Sequence, residues 1–247
     1  MTGATPAWPP RSLPRLFVEQ PLAQGANVTV DGNYLAAVLR LGPGGKVKLF
    51  DDRTGEWLAE IVEAGKKRVT LRVGERLRER EEVPDLWLLF APVKRGRIDW
   101  LVEKATELGV ARLLPVVTRR TIVDRLNLDR LRAHAVEAAE QCERTALPAL
   151  EEARKLDAVL RTWPEDRTLY FADEAGGEQF APAPGPAAIL IGPEGGFTDE
   201  ERAAIRALPQ ARPVSLGPRI LRADTAALAA IALWMAAAGD WTRHGER

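Results

Sequence analysis

The sequence predicts an α/β protein that begins with a small β barrel. From Leu16 to about Val73, short strand-like runs are broken by turn signals every 8 to 12 residues. From residue 86 onward, apolar strands alternate with helices. Between the two, ERLREREEVPD (75 to 85) is charged and proline-bearing, as a linker would be. Evenly spaced short strands suit a barrel. Strands alternating with helices require a mostly parallel sheet, so the C-terminal two thirds is α/β.

The N-terminal strands are RLFVE, ANVTVDG, KVKLFDD, EWLAEIVEA and KRVTLRV, punctuated by DG, GPGG, DDRTG and AGKK. Asn33 to Leu41, NYLAAVLRL, interrupts them as one short helix. After the linker, LWLLFAP (86 to 92) reads as a buried strand and IDWLVEKATELG (98 to 109) as an amphipathic helix closed by Gly109. ARLLPVV is the next strand and LDRLRAHAVEAAEQCERT (128 to 145) a long helix. RTLYFAD, AAILIG and ARPVSLG are further strands, and TDEERAAIRAL and DTAALAAIALWMAAA are helices. Thr198 and Glu201 have the spacing of a capping box. No internal repeat is visible.

Composition removes several classes of function. The 247 residues are 46% hydrophobic and 28% charged, with Lys+Arg and Asp+Glu balanced at 35 each. Any nucleic-acid surface must therefore be local. A single cysteine, Cys142, excludes an intramolecular disulfide and suits cytosolic residence. With that one thiol and two separated histidines, His134 and His244, neither a zinc site nor a His-based triad is expected. The start, MTGATPAWPPRSLPR, lacks the apolar core of a secretory signal. Ala226 to Gly239, the longest apolar stretch, is too short and alanine-rich to span a membrane. It reads as a buried or dimer-forming helix.

The stretch ILIGPEGGFTDEE, 189 to 201, sets three glycines and a proline between a strand and a helix start. Ligands of α/β sheets bind at such strand ends. No Gly-Lys-Ser/Thr follows, and Pro193 and Glu194 break any G-x-G-x-x-G pattern, so phosphate binding is disfavoured. Bare backbone can instead bond a flat heterocycle or a ribose; the alternative is a tight connection with no ligand. SLGPRILRADTAA, 215 to 227, repeats the layout and adds Arg219, Arg222 and Asp224. Two such loops can line one cleft. Asp224 could equally be no more than a helix cap.

Residues 94 to 132 carry ten Lys/Arg against five acids, a local surplus of five. KRGR (94 to 97) and TRRT (118 to 121) each follow a strand, which places them toward the same sheet edge as the glycine loops. Cations there suit an RNA backbone held beside a small-molecule cleft. A solvated face with helix salt bridges is the alternative.

The ordered motifs RIDWLVEKATELGV, HAVEAAEQCERTALP, IGPEGGFTDEE and SLGPRILRADTAAL resemble the bacterial 16S ribosomal RNA uridine N3-methyltransferases, a family of the SPOUT superfamily. PRLFVE with YLAAVLRLGPGGKVKLFDDRTGEWLAEI resembles that family's PUA-like RNA-binding barrel. The similarity covers roughly residues 14 to 240. Two departures stand out: Ala223-Asp224-Thr225 replaces the usual Thr-Glu-Thr, and Tyr34 and Leu35 stand where a histidine is common.

The resemblance implies a flexible tail over 1–13, a PUA-like β barrel over 14–78, and over 83–247 a SPOUT-type α/β domain with a trefoil knot. It implies S-adenosylmethionine bound bent between loops 192 to 196 and 216 to 222, with no metal and no membrane. The partners are 16S ribosomal RNA, within the small ribosomal subunit, and a second copy of the chain. Cofactor contacts are expected from Leu190, Gly192, Pro193, Glu194, Gly195, Gly196, Leu216, Gly217, Ile220, Leu221, Thr225 and Ala226, so Gly195→Val should fill the cleft. Catalytic roles fall to Arg222 or Arg219 as the cation beside a uridine anion, and to Asp224 or Glu194 as proton acceptor. RNA contacts are expected from Arg15, Arg40, Lys94, Arg95, Arg97, Arg119, Arg120 and Arg144.

Overall fold

Alternating buried and exposed positions lay down the first sheet. In the computed structural model, which describes residues 13–32, 35, 39–65, 67–94, 96–122 and 125–242, two compact units form. The first comprises residues up to 82 together with 139–146. Its strands are β1 (Arg15–Phe17), β2 (Asn27–Asp31), β3 (Lys46–Phe50), β4 (Glu56–Ala64) and β5 (Arg68–Arg78). They form one half-barrel sheet in the order β1-β3-β4-β5-β2, antiparallel except for β1 on β3. Val69, Leu71 and Val73 alternate inward along β5 to meet Val47, Leu49, Ala59 and Ile61. Register shifts between β4 and β5 mark bulges, which bend a sheet.

Strand β5 runs on to Arg78, into the expected linker, because its ladder with β4 continues to the pair Glu56 and Arg78. The helix expected over 33–41 falls mostly outside the described residues, although Leu35 is fully buried in this core. The expected tail, apart from Leu13, also lies outside them.

The second unit holds residues 83–138 and 147 onward. Its elements are β6 (Leu86–Phe90), α1 (Arg97–Glu107), β7 (Arg112–Val117), α2 (Leu128–Cys142), β8 (Ala149–Leu150) and β9 (Arg154–Lys155). Then come α3 (Leu156–Arg161), β10 (Thr168–Ala172), β11 (Glu178–Gln179), β12 (Ala187–Ile191), α4 (Asp199–Arg206), β13 (Ala211–Ser215) and α5 (Ala223–Ala237). Among the described residues every strand pairing of this unit is parallel, in the order β11-β13-β10-β12-β6-β7-β8, with β9 on β7.

Helices cover both faces, which is why β12 is buried along its whole length. Ala187, Ile189 and Ile191 share a cluster with residues of α1, α2 and α5. Ala188 and Leu190 face the opposite cluster with Leu156, Val159 and Ile205. Gly109 ends α1 as expected, at φ 96°, a conformation that favours glycine. Helix α2 stops at Cys142, where Glu143 turns to φ 65°. Among the described residues, no helix is long and apolar enough to cross a membrane.

Candidate functional site

Strand β12 is followed by Gly192, which lies under the Phe197 ring: a Cβ there would stand 3.0 Å from it. Gly196 closes the turn at φ 68°, its N–H donating to Pro193 O at 2.8 Å. The next helix starts with the expected capping box. Thr198 Oγ1 accepts from Glu201 N at 3.2 Å, and Glu201 Oε2 accepts from Thr198 N at 3.0 Å. The loop after β7 braces this corner. Arg119 N donates to Glu201 Oε1 at 2.7 Å, and Arg120 Nη1 donates to Gly195 O at 2.5 Å.

After β13 the chain turns at Gly217, φ 110°, and enters α5 with Arg222 at the N-cap. No side chain caps this end. Asp224 lies in the first turn, where its charge opposes the helix dipole favourably, and its Oδ1 accepts from Thr225 N at 3.0 Å.

Between these loops lies a cavity of about 360 Å³. Gly192, Pro193, Glu194, Gly196, Leu216, Gly217, Ile220, Leu221 and Ala226 line it, as do Arg219 and Arg222. Three expected cofactor residues do not. Leu190 points to the far face of the sheet, because alternate residues of a strand face opposite ways and Ile191 has the cleft. Gly195 turns its hydrogens toward Arg120, whose Cδ would be 3.4 Å from an added Cβ. Thr225 is exposed and outside the lining. Of the catalytic candidates, Arg219, Arg222 and Glu194 line the cavity and Asp224 does not. Glu194 Oε1 faces Arg97 Nη1 at 3.9 Å.

A third wall was missed from sequence. The turn after β10 contributes Asp173, Glu174 and Gly176. The signal was available: FADEAGG puts an acid pair and two glycines at a strand end. Asp173 is fully enclosed and accepts from Arg202 Nε at 2.9 Å, Arg206 Nη2 at 2.7 Å and Ala175 N at 3.0 Å. Burial works to raise its pKa, but the bonds from Arg206, Ala175 and Arg202 outweigh it and hold the carboxyl below its ordinary range.

The cations expected at RNA divide by burial. Lys94, Arg119, Arg120 and Arg40 are exposed, and Arg97 is half-buried. Arg95 lies outside the described residues. Arg15 and Arg144 are buried, so the structure corrects their assignment as phosphate contacts. Arg15 spends its donors on Glu56 Oε1 at 2.5 Å, Ala139 O at 2.6 Å, Glu140 O at 3.0 Å and Arg144 O at 2.8 Å. Among the described residues no cluster of His, Cys, Asp or Glu is arranged to hold a metal.

Parallel strands whose glycine turns open onto one cavity make this an α/β protein with its ligand cleft at the carboxyl edge of the sheet. A family model described as an RNA methyltransferase domain matches residues 79–235, and one described as an RNA methyltransferase PUA domain matches 31–74. Ribosomal RNA small subunit methyltransferase E of Rickettsia conorii is 30% identical over 88% of this chain and 93% of its own length. The protein of the same name from Synechocystis is 32% identical over 83% and 70%. A methyltransferase from Legionella pneumophila, solved with bound SAM, superposes with a TM-score of 0.84 at 30% identity, covering 92% of this chain and 98% of that one. Ribosomal RNA small subunit methyltransferase E from Neisseria gonorrhoeae, bound to S-adenosyl methionine, gives 0.84 at 28% identity, covering 93% and 100%. The chain belongs to this RNA methyltransferase family.

Proposed function

We propose that the protein transfers a methyl group from S-adenosylmethionine to N3 of a uridine in 16S ribosomal RNA. The observation that carries this reading is the cavity between loops 192–196 and 216–222. Its walls suit that molecule. Ile191, Val214, Leu216, Leu221 and Ala226 offer apolar contact to a flat ring, and the glycines leave backbone groups within reach. Space above Gly217 is open, with nothing within 4 Å of a Cβ built there. The relatives named above, and the two solved with the cofactor, support the assignment.

S-adenosylmethionine supplies a methyl group on a sulfonium, which an in-line nucleophile takes directly. Uridine N3 bears a proton and attacks poorly until the proton leaves. Arg222 and Arg219 are assigned to the anion that results, since both line the cavity. Glu194, in the cavity wall, and Asp224, in the first turn of α5, are the proton acceptors to be tested. Lys94, Arg97, Arg119, Arg120 and Arg40 are assigned to the RNA backbone.

The fold we assign includes a trefoil knot at the two glycine loops. Its support is the sheet order, in which β10 lies between β12 and β13, so that both loops meet over its end. A homodimer is assigned from apolar side chains left exposed on α1 and beyond: Trp100, Ile220, Leu233 and Trp241. The small ribosomal subunit is the assigned substrate and the cytoplasm the assigned compartment. Mapping methylated nucleotides in ribosomes from cells lacking this protein tests the reading. One unmodified uridine in 16S RNA, restored by the wild-type chain and not by Arg222→Ala, is expected. An unchanged map sinks it.

A further inference from the structure

We propose that Glu174 selects the ribose of the nucleoside that enters this cleft, its carboxylate accepting hydrogen bonds from the two vicinal hydroxyls. The proposal rests on the cleft being a nucleoside site. Glu174 follows β10, the strand between β12 and β13, and lines the cavity together with both glycine loops. Its turn is anchored. The neighbouring Asp173 is held by Arg202, Arg206 and the Ala175 amide, and Gly176 N donates to Asp173 O at 3.2 Å.

The carboxylate lies against Gly196, and a Cβ built on that glycine would collide with Glu174 Oε1. The third glycine of GPEGG therefore makes room for an acid in the wall. Three carboxylates line the cavity, and they are not equivalent. Asp173 has its oxygens engaged. Glu194 lies toward Arg97. Among the described residues the cation facing Glu174 is Arg202, whose Nη2 stands 3.8 Å away, beyond hydrogen-bond length, and the Glu174 side chain is 48% exposed.

An ionised carboxylate is purely an acceptor and offers two oxygens side by side. That geometry matches a vicinal diol and repels a phosphate. An acid at the end of the strand beside a glycine loop performs the same selection in dinucleotide folds, where it takes the ribose hydroxyl. Arg202, which also touches Asp173 and Asp199, is the positioning residue for this turn.

The test is calorimetric binding of S-adenosylhomocysteine and its 2′-deoxy and 3′-deoxy analogues to wild type, Glu174→Gln and Glu174→Ala. Wild type is expected to prefer the ribo form by about tenfold or more, as for loss of a bond to a charged acceptor. Both variants should bind it more weakly and lose the preference. Equal binding of all three compounds by wild type overturns the proposal and leaves the methyltransferase reading standing. Weaker binding by the variants with the hydroxyl preference intact also overturns it, and places the acid on the amino-acid ammonium. A wild type that binds none of them removes both readings.

Discussion

Arg120 Nη1 donates to the carbonyl oxygen of Gly195 at 2.5 Å, so a guanidinium from the turn after β7 holds the glycine loop that follows β12. A weaker bond reaches Phe197 O at 3.4 Å. The contact is exposed, which limits what it contributes to stability. Its effect falls on the shape of the loop. Arg120→Ala is expected to weaken S-adenosylhomocysteine binding about three- to tenfold with little change in melting temperature. Calorimetry with a parallel melt checks this. Unchanged affinity would show that the loop keeps its shape without the brace.

The glycines of the two loops serve different ends. Gly217 has φ 110° and open space where a side chain would go, so Gly217→Val meets backbone strain of about 1–3 kcal/mol. Relief of that strain moves the loop or fills the cavity. Loss of cofactor affinity of about tenfold or more is expected, with the fold retained. Gly195→Val is the control: its Cβ meets Arg120 and not the cavity, so the loss should be the smaller of the two. The reverse order in a titration would overturn this reading of the cleft.

What the sequence made legible were features whose cause is local. Strand β12 is read from an uninterrupted apolar run, the end of α1 from Gly109, and the start of α4 from Thr198 and Glu201. Both glycine loops were placed at strand ends by the same reasoning. What escaped depends on distant partners. Arg15 looks like a surface cation until carbonyl groups of Ala139, Glu140 and Arg144, more than a hundred positions away, converge on it. Leu190 and Ile191 are both apolar, and only knowledge of which helices cover which face decides between them. Strand β5 outruns its apolar pattern because β4 continues to pair with it. The acidic turn after β10 was visible as letters, but its place in the cleft follows from β10 lying between β12 and β13.

Asp173 makes the wall of the cleft sensitive to acid. Its pKa in the fold lies below the ordinary value of 3.8, whereas in the unfolded chain it titrates at that value. The stabilisation is therefore complete above the ordinary value and is lost as pH falls through the folded one. Asp173→Asn should cost about 2 kcal/mol at neutral pH, less than a fully buried pair because Arg206 is partly exposed. The gap between wild type and variant should close progressively below about pH 4. Urea melts across that range measure it, and a gap that stays constant into acid would remove the carboxylate from the account.

Exposed cations and cations in the core should fail in different ways. Lys94 and Arg119 are exposed at the loops after β6 and β7. If each neutralises an RNA phosphate, its replacement by alanine weakens binding and flattens the slope of log affinity against log salt by about 0.7 to 0.9. Arg15 is buried against Glu56, which also takes Arg78 Nε at 3.1 Å and has Lys48 Nζ at 3.7 Å. Burial works to raise the Glu56 pKa, but the bonds from Arg78 and Arg15 hold it below its ordinary range, so removing Arg15 leaves a buried acid with less to offset its burial. Arg15→Ala should then destabilise the fold by about 3 kcal/mol while leaving the salt slope of the remaining folded protein unchanged. Filter binding of a 16S RNA fragment at several salt concentrations, read beside thermal melts, separates the two. A flattened slope for Arg15→Ala, or none for Lys94→Ala and Arg119→Ala together, would reverse the assignment.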